Sequence, residues 1–119
     1  MVRKYKKKTE RKRLEDKLDK AWSKAIRERD DNECQWCGGE GTQAAHVIPR
    51  RYRILRWDWG NGICLCGGCH MWKWHENPLE AADWFENKFP ERWEYLLEQK
   101  RITVKWSIEE LEEMLRELE

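Results

Sequence analysis

Two C-x-x-C pairs, at positions 34–37 and 66–69, hold four of the five cysteines in this chain of 119 residues. Two such pairs can donate four thiolates to one Zn²⁺ ion in a tetrahedral arrangement, each at about 2.3 Å. The fifth cysteine, Cys64, lies just before the second pair, and we expect a small buried residue there. The spacing therefore predicts a closed, structural zinc site formed by Cys34, Cys37, Cys66 and Cys69.

The sequence indicates in which cellular compartment the protein works. No apolar run is long enough to span a bilayer, and the first residues, MVRKYKKKTERKR, lack the apolar region of a secretory signal. We therefore expect a cytoplasmic protein with reduced cysteines.

The net charge is +1, but residues 1–56 carry +8 and residues 57–119 carry −7. A basic half favours a polyanionic partner, although a solvated tail and an acidic helix would give the same asymmetry.

Hydrophobic periodicity predicts one domain over residues 1–119, with helices at both ends of a short hairpin. Residues 1–9 are predicted to be a disordered basic tail, and the stripe in residues 10–30 is typical of an amphipathic helix. The segments TQAAHVI (42–48) and GICL (62–65) read as strands joined by a long basic and aromatic loop. A short helix should begin after the second cysteine pair. The fold class predicted is α+β.

Helix-start residues indicate that residues 77–119 form further helices packed around this core. Asn77-Pro78 is typical of an N-cap followed by proline at the first helical position. Pro90 begins another helix, and Ser107 with Glu110 matches the capping box that opens a last, acidic helix.

Histidines accompany the cysteine pairs in a recognisable order, "AAHVIPR…WDWGNGICLCGGCH". This order resembles the HNH endonucleases of the ββα-metal (His-Me finger) superfamily, in their four-cysteine zinc variant and phage-type form. The resemblance covers residues 34–76 and implies a ββα-metal core, a two-stranded antiparallel hairpin plus a helix, stapled by the zinc. The matching residues are Cys34, Cys37, His46, Pro49, Asn61, Cys66, Cys69 and His70.

The resemblance also implies an activity and a role for individual residues. His46 would be the general base that activates water, and an imidazole is well suited to this task at neutral pH. His70 would bind a catalytic divalent cation, Mg²⁺ or Mn²⁺, and Asn61 would hold the loop and the strands in place. The implied reaction is hydrolysis of DNA phosphodiester bonds, as a nickase, by a phage or prophage protein in a bacterial host.

One position departs from the family pattern. Many members carry Asp or His directly before the base as a second metal ligand, whereas this chain has Ala45. His75 is the obvious substitute, but residues five apart point about 140° away from each other on an ideal α-helix. His75 could therefore coordinate only if the helix ends or bends. Asp58 is a further candidate ligand.

Four arginines directly follow the histidine strand and can neutralise phosphates beside the scissile bond. They are Arg50, Arg51, Arg53 and Arg56. A solvated loop is the alternative interpretation. Since the sequence contains no pattern for base readout, we expect DNA binding with weak sequence preference.

Two other functions fit the same sequence. Ala45 favours a non-catalytic, zinc-stapled nucleic-acid-binding module. The acidic last helix instead favours an accessory protein in phage packaging or recombination, for example one that contacts the phage terminase.

Overall fold

The computed structural model describes residues 7–119, so most of the predicted basic tail, residues 1–6, lies outside the described residues. The architecture is α+β, which confirms the predicted fold class: a two-stranded antiparallel hairpin packs among helices. The elements are α1 (Glu10–Arg29), β1 (Gln43–His46), a one-turn helix (Trp59–Asn61), β2 (Gly62–Leu65), a π-helix (Cys69–His75), α2 (Pro78–Lys88), α3 (Pro90–Gln99) and α4 (Ile108–Leu118).

The hairpin places its two faces in different surroundings. β1 pairs with β2 so that Ala45 lies opposite Ile63 and His46 opposite Gly62. Because side chains alternate along a strand, Ala45 is buried in the core while His46 faces the other way. β1 is shorter than the predicted 42–48 segment, since the amide of Ile48 bonds to the side chain of Asn61 and leaves the ladder.

Helix α1 crosses one face of the hairpin and also packs against α4. The Thr9 side chain caps it by accepting a hydrogen bond from the amide of Lys12 at 3.1 Å. The apolar stripe found in the sequence is buried and forms one core cluster with Leu111 of α4. Its members on α1 are Leu14, Leu18, Trp22 and Ile26.

The C-terminal helices begin where local sequence predicts. Pro78 and Pro90 occupy the first positions of α2 and α3. The Ser107 hydroxyl accepts from the amide of Glu110 at 3.1 Å, and the Glu110 carboxylate accepts from the amide of Ser107 at 3.1 Å. Over residues 7–119, no helix combines the length and the apolar character needed to cross a membrane.

The packing of α1 on β2 predicts that Gly62 cannot carry a side chain. A Cβ there would lie 2.5 Å from Ile26 Cγ1 and 2.6 Å from Trp22 Cζ2. We expect Gly62→Ala to lower the free energy of unfolding by about 1–3 kcal/mol, the usual cost of overpacking a core. Denaturant titration followed by tryptophan fluorescence measures this change.

Gly68→Ala is the matched control, because no heavy atom lies within 4 Å of its would-be Cβ and its backbone is helical. Alanine there should be neutral or stabilising by up to about 1 kcal/mol. Equal destabilisation by both substitutions would contradict the close packing of α1 on β2.

Candidate functional site

The four cysteines of the C-x-x-C pairs meet at one point, as predicted. Their sulfur atoms all lie within 4.8 Å of one another, and the Sγ atoms of Cys37 and Cys66 are 3.8 Å apart. A tetrahedral ion with metal–sulfur bonds of about 2.3 Å has sulfur–sulfur edges of about 3.8 Å. The cluster of Cys34, Cys37, Cys66 and Cys69 can therefore hold one metal ion.

The protonation of the cluster depends on its backbone and its burial. The amide of Cys37 points at Cys34 Sγ (3.5 Å), and the amide of Cys69 points at Cys66 Sγ (3.3 Å). Burial acts to raise the pKa of the Cys34 thiol, but the surrounding amides lower it to about 6. Burial and the neighbouring sulfurs raise the pKa of Cys69 to about 12. A bound cation would supply the positive charge that lets all four thiols ionise together.

Cys64 is not part of the cluster. It lies on β2, is fully buried, and burial raises the pKa of its thiol. Its amide donates to the carboxylate of Asp30 at 2.9 Å. The residue therefore behaves as the small buried group that the sequence predicts at this position.

All three histidines of the chain line a single cavity of about 680 Å³. His46 ends β1, while His70 and His75 lie near the start and at the end of the π-helix. Trp22 of α1 and Trp74 of the π-helix contribute apolar walls. The structure thus brings together the histidines that the sequence proposes as base and as metal ligands.

His46 is held in one tautomer and one orientation. Its Nε2 lies 2.9 Å from the carbonyl oxygen of Arg56. Because a carbonyl only accepts, Nε2 carries the proton and Nδ1 keeps a lone pair. The imidazole stacks on the indole of Trp22, with ring centroids 4.0 Å apart and planes 12° from parallel, and that indole donates to the carbonyl of Asp58 at 2.7 Å.

Burial sets the charge of His46. The ring is mostly enclosed, and burial lowers the pKa of His46 by more than the Arg56 carbonyl raises it. The imidazole is consequently neutral at pH 7, which is the form that can accept a proton.

Asn61 fastens the loop between the strands. Its Oδ1 accepts from the amide of Ile48 at 2.7 Å, and its Nδ2 donates to the carbonyls of Ile48 (2.9 Å) and Leu55 (3.0 Å). The side chain is completely buried and its polar atoms are bonded to the loop backbone. Asn61 therefore fixes the segment that directly follows His46, and it does not line the cavity.

The helix after the second cysteine pair is a π-helix, and this changes the position of His75. In a π-helix the hydrogen bonds join residues five apart, so these residues share a face. His70 Nε2 and His75 Nε2 are accordingly only 2.9 Å apart. The 140° separation of an ideal α-helix, which counted against His75 as a ligand, does not apply to this segment.

His70 is also oriented by a neighbour. Its Nδ1 lies 2.5 Å from the side-chain oxygen of Gln43 on β1, so Nδ1 carries the proton and Nε2 is left as a donor to a cation. Burial, and then the charge of His75, lower the pKa of His70. His70 is thus presented in the unprotonated form that binds metals.

Among residues 7–119, no carboxylate joins the histidine pair to form a three-ligand site. Ala45 is buried in the core, and Asp58 accepts from the amide of Gly60 (2.7 Å) and the hydroxyl of Tyr95 (2.5 Å). Asp19 does line the cavity, but it binds the guanidinium of Arg56 and the indole of Trp57. Burial acts to raise the pKa of Asp19, but these hydrogen bonds outweigh it and hold the pKa below its usual range.

Two of the four loop arginines pair with carboxylates of α1. Arg56 is buried and pairs with Asp19 through both Nε (3.2 Å) and Nη2 (2.8 Å), so its guanidinium is engaged within the fold. Arg53 pairs with the buried carboxylate of Glu15. Arg50 and Arg51 remain exposed, and Arg50 lines the cavity.

Two residues of α1 contribute to the site without any local pattern in the sequence. Trp22 stacks on His46, and Asp19 anchors the loop that carries the Arg56 carbonyl. In the sequence both belong to an ordinary amphipathic helix. Only the tertiary packing of α1 on the hairpin shows what they contact.

Comparisons of this chain with family models, with curated proteins and with solved structures find no match. The function is therefore argued from the geometry of the site.

The cysteine cluster predicts one tightly held metal ion per chain. Cys66→Ala removes one of the four sulfurs, so the purified variant should contain less than one ion and unfold at a lower temperature. Elemental analysis by mass spectrometry and a thermal melt measure both effects.

Cys64→Ala is the matched control, since Cys64 lies outside the cluster. It should keep the wild-type metal content. A cluster that holds no metal in the wild type, or an undiminished content in Cys66→Ala, would contradict the assignment.

Proposed function

We propose that this chain is a metal-dependent DNA endonuclease that nicks its substrate with His46 as general base. The observation that carries the proposal is the convergence of all three histidines on one cavity. His46 is fixed with a free Nδ1, and the Nε2 atoms of His70 and His75 face each other. The resemblance of residues 34–76 to HNH endonucleases assigns the same roles to His46 and His70.

In the proposed reaction, Nδ1 of His46 accepts a proton from a water molecule as its oxygen attacks phosphorus. The bond from phosphorus to the 3′-oxygen breaks, and this oxygen takes a proton from solvent water, which leaves a 5′-phosphate and a 3′-hydroxyl. The stacking of His46 on Trp22 and its bond to the Arg56 carbonyl hold the base in position during this step. Asn61 keeps the loop backbone, and hence the Arg56 carbonyl, in place.

His70 and His75 would hold the divalent cation, whose chemistry there is to neutralise the charge that develops on the phosphate. Mg²⁺ takes oxygen ligands and gives up its waters reluctantly, so of the two cations Mn²⁺ accepts two imidazole nitrogens more readily. We therefore propose Mn²⁺ as the better activator of the two. The four cysteines would hold a structural Zn²⁺, because four thiolates in tetrahedral array are its preferred closed site.

A non-catalytic nucleic-acid-binding module is the second candidate, and one observation favours it. The buried Ala45 offers no ligand, and the carboxylate of Asp19 is already bound to Arg56 and Trp57. The cavity would then bind a phosphate beside Arg50 without cleaving it. A role as an accessory to phage packaging stays a prediction, to which the exposed acidic face of α4 contributes.

Nicking of supercoiled plasmid DNA with Mn²⁺ or Mg²⁺ tests the proposal. His46→Ala should lower the rate by about 10²–10⁴, the usual contribution of a general base. Because burial lowers the pKa of His46, the wild type should stay active somewhat below pH 6.5 and lose activity as the pH falls further and the imidazole is protonated.

Ser23→Ala is the control, since Ser23 lines the same cavity but makes no hydrogen bond to the histidines. It should nick at the wild-type rate. Equal nicking by wild type and His46→Ala would exclude His46 as the base, and binding without any cleavage would favour the non-catalytic module.

The π-helix predicts that His75 contributes to cation binding. His75→Ala should raise the Mn²⁺ concentration needed for half-maximal nicking by about tenfold or more, since it removes one of two nitrogen ligands. Lys73→Ala is the control, because Lys73 lies on the same π-helix but extends over Trp36. Identical Mn²⁺ dependence in His75→Ala and Lys73→Ala would remove His75 from the site.

A further inference from the structure

Two cationic side chains lie close to the ring of Tyr52, outside the histidine cavity. The guanidinium carbon of Arg51 lies 5.0 Å from the centroid of the Tyr52 ring, and the Lys100 ammonium lies 5.2 Å from the same centroid. Arg51 comes from the loop after β1, whereas Lys100 directly follows α3 in a distant part of the sequence. Tertiary folding therefore brings two like charges to one aromatic ring.

These charges lack acidic partners. Among residues 7–119, no carboxylate forms an ion pair with the cationic groups of Arg51, Lys100 or the adjacent Arg101. All three side chains are exposed. This differs from Arg53 and Arg56, which come from the same loop and are paired with carboxylates of α1.

The local field of this group is positive. The hydrogen bond from Arg51, and then the charge of Lys100, lower the pKa of the Tyr52 phenol and outweigh the opposing effect of burial. Arg51 and Lys100 both lie beside the Tyr52 ring, so an anion that binds there meets two positive charges from different parts of the chain.

The group adjoins the histidine cavity. The amide of Tyr52 donates to the carbonyl of Pro49 at 3.0 Å, which closes a turn with Arg50 and Arg51 at its centre. Arg50 lines the cavity, and Arg51 extends to Tyr52. A polyanion that enters the cavity at Arg50 can therefore continue over Arg51 towards Lys100.

We propose that Arg51, Tyr52 and Lys100 form a phosphate-binding patch for the backbone of duplex DNA, next to the scissile phosphate. This inference rests on the proposed function and extends it to a longer substrate. It adds Lys100, which lies outside the segment that resembles the HNH endonucleases. Because the patch contacts phosphates only, it raises affinity and sets the register of the duplex without reading its sequence.

Salt-dependent binding tests the patch. Affinity for a fluorescent DNA duplex is measured by anisotropy between about 50 and about 200 mM salt, in a His46→Ala background so that the strand stays intact. Each neutralised phosphate contributes about −0.9 to the slope of log K against log salt. Arg51→Gln and Lys100→Gln should each bind more weakly and make the slope shallower by about 0.9.

Arg116→Gln is the matched control, because Arg116 is exposed on the acidic α4 and pairs with Glu113. Its affinity and slope should equal those of the His46→Ala background. Thermal melts of all variants should coincide, since the substituted side chains are exposed.

The outcomes distinguish failure of the phosphate-binding patch from failure of the proposed nuclease function. Affinities and slopes in Arg51→Gln and Lys100→Gln that match the control would overturn the patch, while nicking by the wild type would leave the proposed function intact. A wild-type chain that neither binds nor nicks the DNA would overturn both. Weaker binding with a shallower slope in both variants, together with an unaffected control, would establish the patch.

Discussion

The meeting of four cysteine sulfur atoms at one point is the constraint on which the hairpin depends. The first cysteine pair holds the chain before β1, and the second holds it after β2. Charged residues make up 39% of the sequence, so a core built from apolar contacts alone would be small. A metal bound by these sulfurs would close both ends of the hairpin at once. Its binding free energy would then contribute directly to folding.

Helix α1 supplies the other constraint on the site. The hairpin and the π-helix bring the histidines to one cavity, but α1 closes that cavity with Trp22 and Asp19. Asp19 neutralises Arg56, and this pairing holds the loop whose carbonyl selects the tautomer of His46. The orientation of the proposed base therefore depends on a helix that lies outside residues 34–76. Arg56, which the sequence proposes as a DNA-binding residue, is part of this internal pairing.

The sequence predicted those features that depend on neighbouring residues. The capping box at Ser107 and the proline starts at Pro78 and Pro90 follow from local chemistry, and the structure contains each of them. The meeting of the two C-x-x-C pairs is a tertiary feature, but it was predictable because four thiolates can share one ion. Other features that depend on tertiary contacts could not be predicted from the sequence. The burial of Arg56 requires knowledge that Asp19, from a different element, lies beside it. The stacking of Trp22 on His46 has no local pattern.

The role of His75 could be predicted from the sequence only in part. Its residue type indicated a ligand, whereas the assumed α-helical period argued against it. π-helical turns are rare, and they are frequently found at functional sites. Here the turn starts at Cys69, a member of the sulfur cluster, and ends at His75. The same short element thus joins the sulfur cluster to the imidazole pair.

The π-helix links two candidate metal sites of different chemistry, the cysteine cluster and the histidine pair, and it fixes their relative positions. Four thiolates complete a tetrahedral ion and leave no place for substrate, so that site can only hold the fold together. Two imidazoles leave most positions of a divalent ion open to water and to phosphate oxygens, as catalysis requires. Since Cys69 and His70 are adjacent, displacement of the sulfur cluster would move the first imidazole with it. In the proposed enzyme, the closed site would therefore determine where the open site lies relative to His46.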